Sequence, residues 1–141
     1  MKALTLTEPW ATLMMLGEKN IETRSWKTNY RGLIAIHAAK TMPRQAVEFL
    51  RTPDVVSTLA SHCIELQMND RGSIIFNLGA VLCIRELVKV VPTQSVVASK
   101  TEISFGDYTP GRFAWVFAPQ IKIISPPVGV KGALGLWEWK R

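Results

Sequence analysis

Lys19, Glu22 and Arg24 put an ammonium, a carboxylate and a guanidinium within six residues of one another. The run from Asn20 to Trp26 reads as a strand. Alternation then sets Glu22, Arg24 and Trp26 on one side and Ile21, Thr23 and Ser25 on the other. An acid, a base and an indole together do not make a core face. The set reads either as an exposed strand with a salt bridge across its face, or as a polar pocket with an aromatic wall, over which Lys19 reaches from the preceding turn. As a pocket it has usable chemistry. Arg24 could hold a phosphate or carbonyl bidentately, and Lys19 could contact phosphate as a point charge. Glu22 could accept from an exocyclic amine or serve as a general base. Trp26 could stack on a base, the way single-stranded RNA is usually read. Tyr30, Arg31, Tyr108 and Arg112 would line the rim, and Trp10 is a further candidate contact.

The surrounding elements must position this cluster. Ala3 to Leu6 reads as a first strand. Thr7 or Glu8 can open a helix whose first turn tolerates Pro9. Trp10, Leu13 and Met14 recur at helical spacing, and Met15 and Leu16 widen the apolar face, which predicts a helix packed on most sides. Gly17 suits its C-terminal stop. Leu33 to Ala38 is an apolar run of strand length, with His37 read as a hydrogen-bonded core residue. A helix is expected from Thr41–Pro43 to Leu50. A second starts at Asp54 with Val56, Leu59, Ala60 and Cys63 as its apolar face. Both would cover an open face of a barrel. Leu78 to Val91 reads as a long strand and Pro92 to Glu102 as a surface excursion. Arg112 to Phe117 and Ile121 to Ile124 read as two strands, the second ended by Pro126 and Pro127, and Leu136 to Lys140 as a closing strand. Periodicity alone predicts an α+β chain.

The 141 residues fit one domain, residues 1–141, and 48% hydrophobic content supplies a core. The net charge of +6 and pI near 9.6 favour an anionic partner such as nucleic acid. No run approaches the ~18 apolar residues of a membrane helix, and no secretory signal is visible, so a soluble, cytoplasmic protein is expected. Cys63 and Cys83 both fall in segments that look buried, which predicts reduced packing residues. No Cys-x-x-Cys or His-x-x-x-His pair occurs, and His37, His62, Cys63 and Cys83 do not read as a zinc site. No metal or cofactor is expected.

The strings Pro9-Trp10-Ala11, Gly17-x-Lys19-x-x-Glu22-x-Arg24-Ser25-Trp26 and Tyr30-Arg31-Gly32 resemble the ASCH domain, a family of the PUA-like superfamily. The resemblance resumes at Phe105 to Trp115, with Gly106-Asp107-Tyr108-Thr109-Pro110-Gly111-Arg112 at its centre, and at Lys131-Gly132 and Gly135-Leu136-Trp137. It implies a small PUA-like mixed β-barrel of about six strands with covering helices. It also implies a domain that binds RNA or a nucleotide through a basic cleft around Lys19, Glu22 and Arg24.

Two other functions stay open. Some small relatives in the family are amidohydrolases that remove the acyl group of N4-acetylcytidine with a Lys and a Thr three residues apart, assisted by a distant Glu. Lys19 matches that lysine, but Glu22 occupies the threonine position, and Thr23 lies on the opposite strand face. A water activated by Glu22, with Lys19 or Arg24 stabilising the oxyanion, would be the corresponding chemistry here. Ribonuclease activity, proposed for other relatives, would use Glu22 on the 2′-OH. The remaining alternative is a protein-interaction domain in which Lys19, Glu22 and Arg24 form a structural ionic network.

Overall fold

A computed structural model describes residues 1–141. Six strands form one sheet in the order β2-β5-β4-β3-β1-β6, curled into a half-barrel with β2 and β6 as its edges. They are β1 (Lys2–Leu6), β2 (Ile21–Arg24), β3 (Gly32–Ala38), β4 (Ala80–Pro92), β5 (Phe113–Gly129) and β6 (Leu136–Glu138). All neighbours are antiparallel except β1 and β3, which run parallel from Lys2↔Ile34 to Leu6↔Ala38. The helices are α1 (Trp10–Met15), α2 (Arg44–Phe49), α3 (Pro53–Ala60) and α4 (Lys100–Ser104). The expected small α+β, PUA-like architecture is what forms. None of the helices is long and apolar enough to cross a membrane.

The sheet is buried on both faces, which explains why β3 reads as a nearly unbroken apolar run rather than an alternating one. Leu4, Leu6, Ile34, Ile36, Leu82 and Trp115 pack with Ala11 and Met14 of α1. Ala3, Ala35, Val81 and Ile84 pack instead with Ile124 and Trp139. Helix α1 is enclosed in turn, because Leu13 packs with Val55 and Leu59 of α3 and with Phe105. That matches a helix apolar on most sides. Gly17 follows it with φ +79°, a left-handed conformation that costs glycine little.

The second face is sealed by a hydrogen-bond chain. Trp137 Nε1 donates to Thr5 Oγ1 at 3.0 Å, and Thr5 Oγ1 lies 3.1 Å from His37 Nδ1. His37 Nε2 lies 2.8 Å from Val130 O. A carbonyl can only accept, so Nε2 carries the proton and Nδ1 accepts from the threonine. His37 is thus a satisfied core histidine. Gly132 sits so close that a Cβ there would lie 2.7 Å from both His37 Cε1 and Thr5 Oγ1.

Four expectations need correcting. Strand β2 ends at Arg24 and the chain bends at Ser25 and Trp26, so Trp26 leaves the face that alternation assigned to it. The two strands expected between Arg112 and Ile124 are one, β5, which runs through Pro119, Pro126 and Pro127. The prolines fall at irregularities. Val81 pairs with Val128 but Cys83 with Ile123, and Arg85 pairs with Ile121 but Leu87 with Phe117. Beyond Val116 no β2 residue pairs with β5, so a missing N–H breaks no ladder. In α3 the inward residues are Val55 and Leu59, while Val56 is exposed. Cys63 lies past the end of that helix and is exposed, whereas Cys83 is buried; both are free thiols.

Glu8 shows how α1 is started. Its carboxyl accepts from Thr12 N at 2.7 Å and from Thr12 Oγ1 at 2.6 Å, satisfying a donor that the helix leaves free. Burial pushes its pKa up from 4.5 to about 7, and the two Thr12 hydrogen bonds only partly offset this. Between these values the native state holds a proton that the unfolded state has lost. Stability therefore falls as pH rises from about 4.5 to about 7, by roughly 3 kcal/mol at most, and is flat above. Gln imitates the protonated acid, so Glu8→Gln should remove this contribution. Urea midpoints at pH 5 and pH 8 are expected to differ less in Glu8→Gln than in the parent protein; an equal difference would refute the assignment.

Candidate functional site

Lys19 is fully buried. Its ammonium donates to Ile21 O at 2.5 Å and to Phe105 O at 3.4 Å, and lies 3.4 Å from Glu22 Oε1. Two of its donors go to backbone carbonyls, and Glu22 is its counter-charge. The other carboxylate oxygen, Glu22 Oε2, lies 2.9 Å from Arg24 Nε, an ion pair rather than an aligned hydrogen bond. Arg24 Nη2 donates to Thr5 O at 2.8 Å, which ties β2 to β1 across the mouth of the curled sheet. Lys19, just before β2, and Glu22 and Arg24 within it therefore form a cation–carboxylate–cation row, held at both ends by backbone carbonyls.

Two buried groups from distant parts of the chain hold the row in place. The Glu102 carboxylate accepts from Asn20 N at 2.6 Å and from Ile21 N. Burial raises its pKa, against the lowering effect of the Asn20 and Ile21 N–H groups and of the Lys19 charge. The Arg85 guanidinium donates to Met14 O at 2.8 Å, Lys19 O at 3.1 Å, Asn20 Oδ1 at 2.6 Å and Ala118 O at 2.9 Å. Desolvation lowers the Arg85 pKa, and the neighbouring Cys83 and Glu102 oppose that. Arg85 thus joins the end of α1, the lead-in to β2 and the middle of β5.

In front of this row lies a cleft of about 530 Å³. Glu22, Thr23 and Arg24 form one wall, with Thr5 and Thr7 from the end of β1. The facing wall is aromatic. Trp10 stacks on Phe49 with ring centres 4.5 Å apart and planes 13° from parallel, and Phe49 meets Phe105 edge-on at 6.3 Å. Trp10 Nε1 is satisfied by Phe105 O at 2.8 Å, so its ring is fixed. Ser104 to Asp107 and Arg112 complete the lining. Arg112 donates from Nε to Asp107 O and from Nη2 to Thr23 O, both at 3.1 Å. The Asp107 carboxylate is held below its usual pKa, chiefly by hydrogen bonds from the Thr109 hydroxyl and N–H and also by Arg112.

Of the residues singled out from sequence, Trp10, Glu22, Arg24 and Arg112 line this cleft. Lys19 lies behind it. Trp26 packs edge-on against Trp115 at 4.7 Å, and its carbonyl accepts from Trp115 Nε1; it serves the core. The Tyr30 hydroxyl donates to Leu33 O, and Arg31 bonds Thr28 O and Tyr30 O at the surface. Neither lines the cleft. The Tyr108 hydroxyl is buried without a partner, and burial together with the charges of Glu102 and Glu22 raises its pKa. The aromatic wall expected from Trp26 is supplied instead by Trp10 and Phe49. The four charged lining groups, Glu22, Asp107, Arg24 and Arg112, balance, so the cleft surface itself is not strongly basic.

Sequence reasoning missed Phe49, Asp107, Glu102 and Arg85. One signal was present for Glu102. Ser99-Lys100-Thr101-Glu102 has capping-box spacing, and Ser99 Oγ does accept from Glu102 N at 3.1 Å. The carboxylate then turns inward to β2 instead of back to Ser99.

The family model described as the ASCH domain matches residues 4–127. No curated protein matches the chain.

Removing the Glu102 carboxylate would strand two buried N–H groups and leave Lys19 and Arg85 undercompensated. Glu102→Ala is expected to cost about 3–5 kcal/mol, measured by urea unfolding. A cost below about 1 kcal/mol would mean that Glu102 does not carry the start of β2.

Proposed function

We propose that this chain, which belongs to the ASCH domain family, binds RNA by taking one nucleotide at a time into the cleft between Trp10 and Arg24. The observation that carries this reading is the pairing of a fixed aromatic wall, Trp10 on Phe49, with a polar wall of one carboxylate and one guanidinium. A cleft of this size suits a single base with its sugar. The base would lie against the indole. Glu22, flanked by two cations and able only to accept, would take an N–H of the base edge, and Arg24 would donate to a neighbouring acceptor. The net charge of +6 would draw the backbone to the surface around it. Membership of the family is compatible with RNA binding.

A hydrolytic reading, whether deacylation of an N4-acylated cytidine or RNA cleavage, draws less support from the geometry. The Lys19 ammonium lies behind the cleft rather than in it, held by Ile21 O, Phe105 O and the Glu22 carboxylate. Both Glu22 oxygens lie against cations, Oε1 against Lys19 and Oε2 against Arg24, so neither is free to approach a substrate proton.

The test is retention of short single-stranded RNA on nitrocellulose across a salt series. Retention is expected at low ionic strength, falling as salt rises. Trp10→Leu should weaken it by about 1–3 kcal/mol, the worth of one stacked base. Absence of any salt-sensitive retention would overturn the reading. Retention unchanged in folded Trp10→Leu would place the RNA elsewhere on the surface.

A further inference from the structure

Two guanidinium groups in the cleft each have one nitrogen to spare. Arg24 spends Nε on Glu22 and Nη2 on Thr5 O. Arg112 spends Nε on Asp107 O and Nη2 on Thr23 O. In both, Nη1 has no partner in the protein. The two arginines are neighbours across the β2–β5 ladder: Arg24 pairs with Phe113, the residue after Arg112, and Arg112 reaches the carbonyl of the residue before Arg24. Their side chains are 24% and 28% exposed, so neither is free in solvent nor sealed off.

Such an arrangement is pre-organised for an anion. Each planar fork is already oriented by two protein oxygens, so little side-chain freedom is lost when Nη1 takes a ligand oxygen. The nearby carboxylates are already engaged, Glu22 by Lys19 and Arg24, and Asp107 by the N–H and hydroxyl of Thr109 at Oδ1 and by Arg112 Nε, 3.6 Å from Oδ2. The lining charges balance, so what the site offers an anion is the two unpartnered Nη1 donors. We propose that Arg24 and Arg112 form a phosphate subsite, which seats the phosphate of the nucleotide whose base faces Trp10 and Phe49. The subsite rests on the nucleotide reading above and adds to it a recognition of phosphate that stacking alone does not provide. The phosphate could belong to a mononucleotide or to a phosphodiester within a strand; the chemistry at the two arginines is shared.

Calorimetric titration of the folded protein at low ionic strength with uridine, uridine 5′-monophosphate and a short oligouridylate separates these sources. The monophosphate is expected to bind roughly tenfold or more tighter than uridine, as for charge-assisted hydrogen bonds. Arg112→Gln, checked for folding by its thermal transition, should narrow that gap to within about twofold. If the monophosphate gains nothing but the oligonucleotide binds tightly and Arg112→Gln weakens it by a similar factor, the subsite holds a strand phosphodiester. If uridine and both phosphorylated ligands bind alike, or if Arg112→Gln leaves every affinity unchanged, the subsite is overturned while nucleotide binding stands. If none of the three binds, the nucleotide reading itself falls, and the subsite with it.

Discussion

The structure depends on a charge in its interior. Arg85 is fully buried on the middle of β4, and taking a guanidinium out of water costs several kcal/mol unless its donors are met. Four oxygens meet four of its five donors, Nε alone being left without a partner, and these come from α1, from the residues before β2 and from β5. The β2–β5 ladder and the bond from Phe117 N to Asn20 O already join two of these segments, and Arg85 adds the end of α1 to them. The end of α1 offers the Met14 carbonyl, which also takes a long bond from Gly17 N, Asn20 offers a side-chain oxygen, and Ala118 lies at an irregularity of β5. The cost of leaving the cation unmet makes their convergence obligatory. Arg85 thereby fixes where Lys19 and the start of β2 must lie.

From Arg85 the constraint passes outward to the cleft. Glu102 pins the N–H groups of Asn20 and Ile21, which Arg85 already holds from the carbonyl side. Lys19 is then committed to the interior, with Glu22 as its only counter-charge within ion-pair distance. Glu22 in turn orients Arg24. The groups that reach the cleft are the last members of a row whose first members are buried. A site built in this order is held by groups whose own positions are fixed behind it, the pre-organisation that a functional site needs.

How much of this was legible in the chain follows from the range of each interaction. Helix α1, its stop at Gly17 and the double-sided burial of β3 are local patterns, and periodicity finds them. The row Lys19, Glu22, Arg24 is also local and stands out by residue type. The family resemblance added the curled sheet, which periodicity alone would leave as α+β. Trp26 was misplaced because alternation assumes that a strand continues, and β2 stops after four residues. Strand β5 was split because proline usually ends a strand, yet here one edge is unpaired and the ladder is irregular where the prolines fall. Arg85 and Glu102 were out of reach for a different reason. Their partners lie 33 to 82 residues away, and a single arginine in an apolar strand carries no mark of which carbonyls will meet it.

The buried charges also bear on how the molecule would find an anionic partner. Lys19, Arg24 and Arg85 are set against Glu8, Glu22 and Glu102, so the interior and the polar wall of the cleft are formally neutral together. The whole net charge of +6 therefore belongs to the remaining surface. Surface charge of that kind attracts phosphate backbones over a Debye length and is screened by salt. The contacts inside the cleft are shorter-ranged and partly desolvated, so salt weakens them less. On the nucleotide-binding reading proposed above, attraction and selection fall to different residues. The first can be tuned at the surface without touching the second, because no exposed lysine takes part in the network that begins at Arg85.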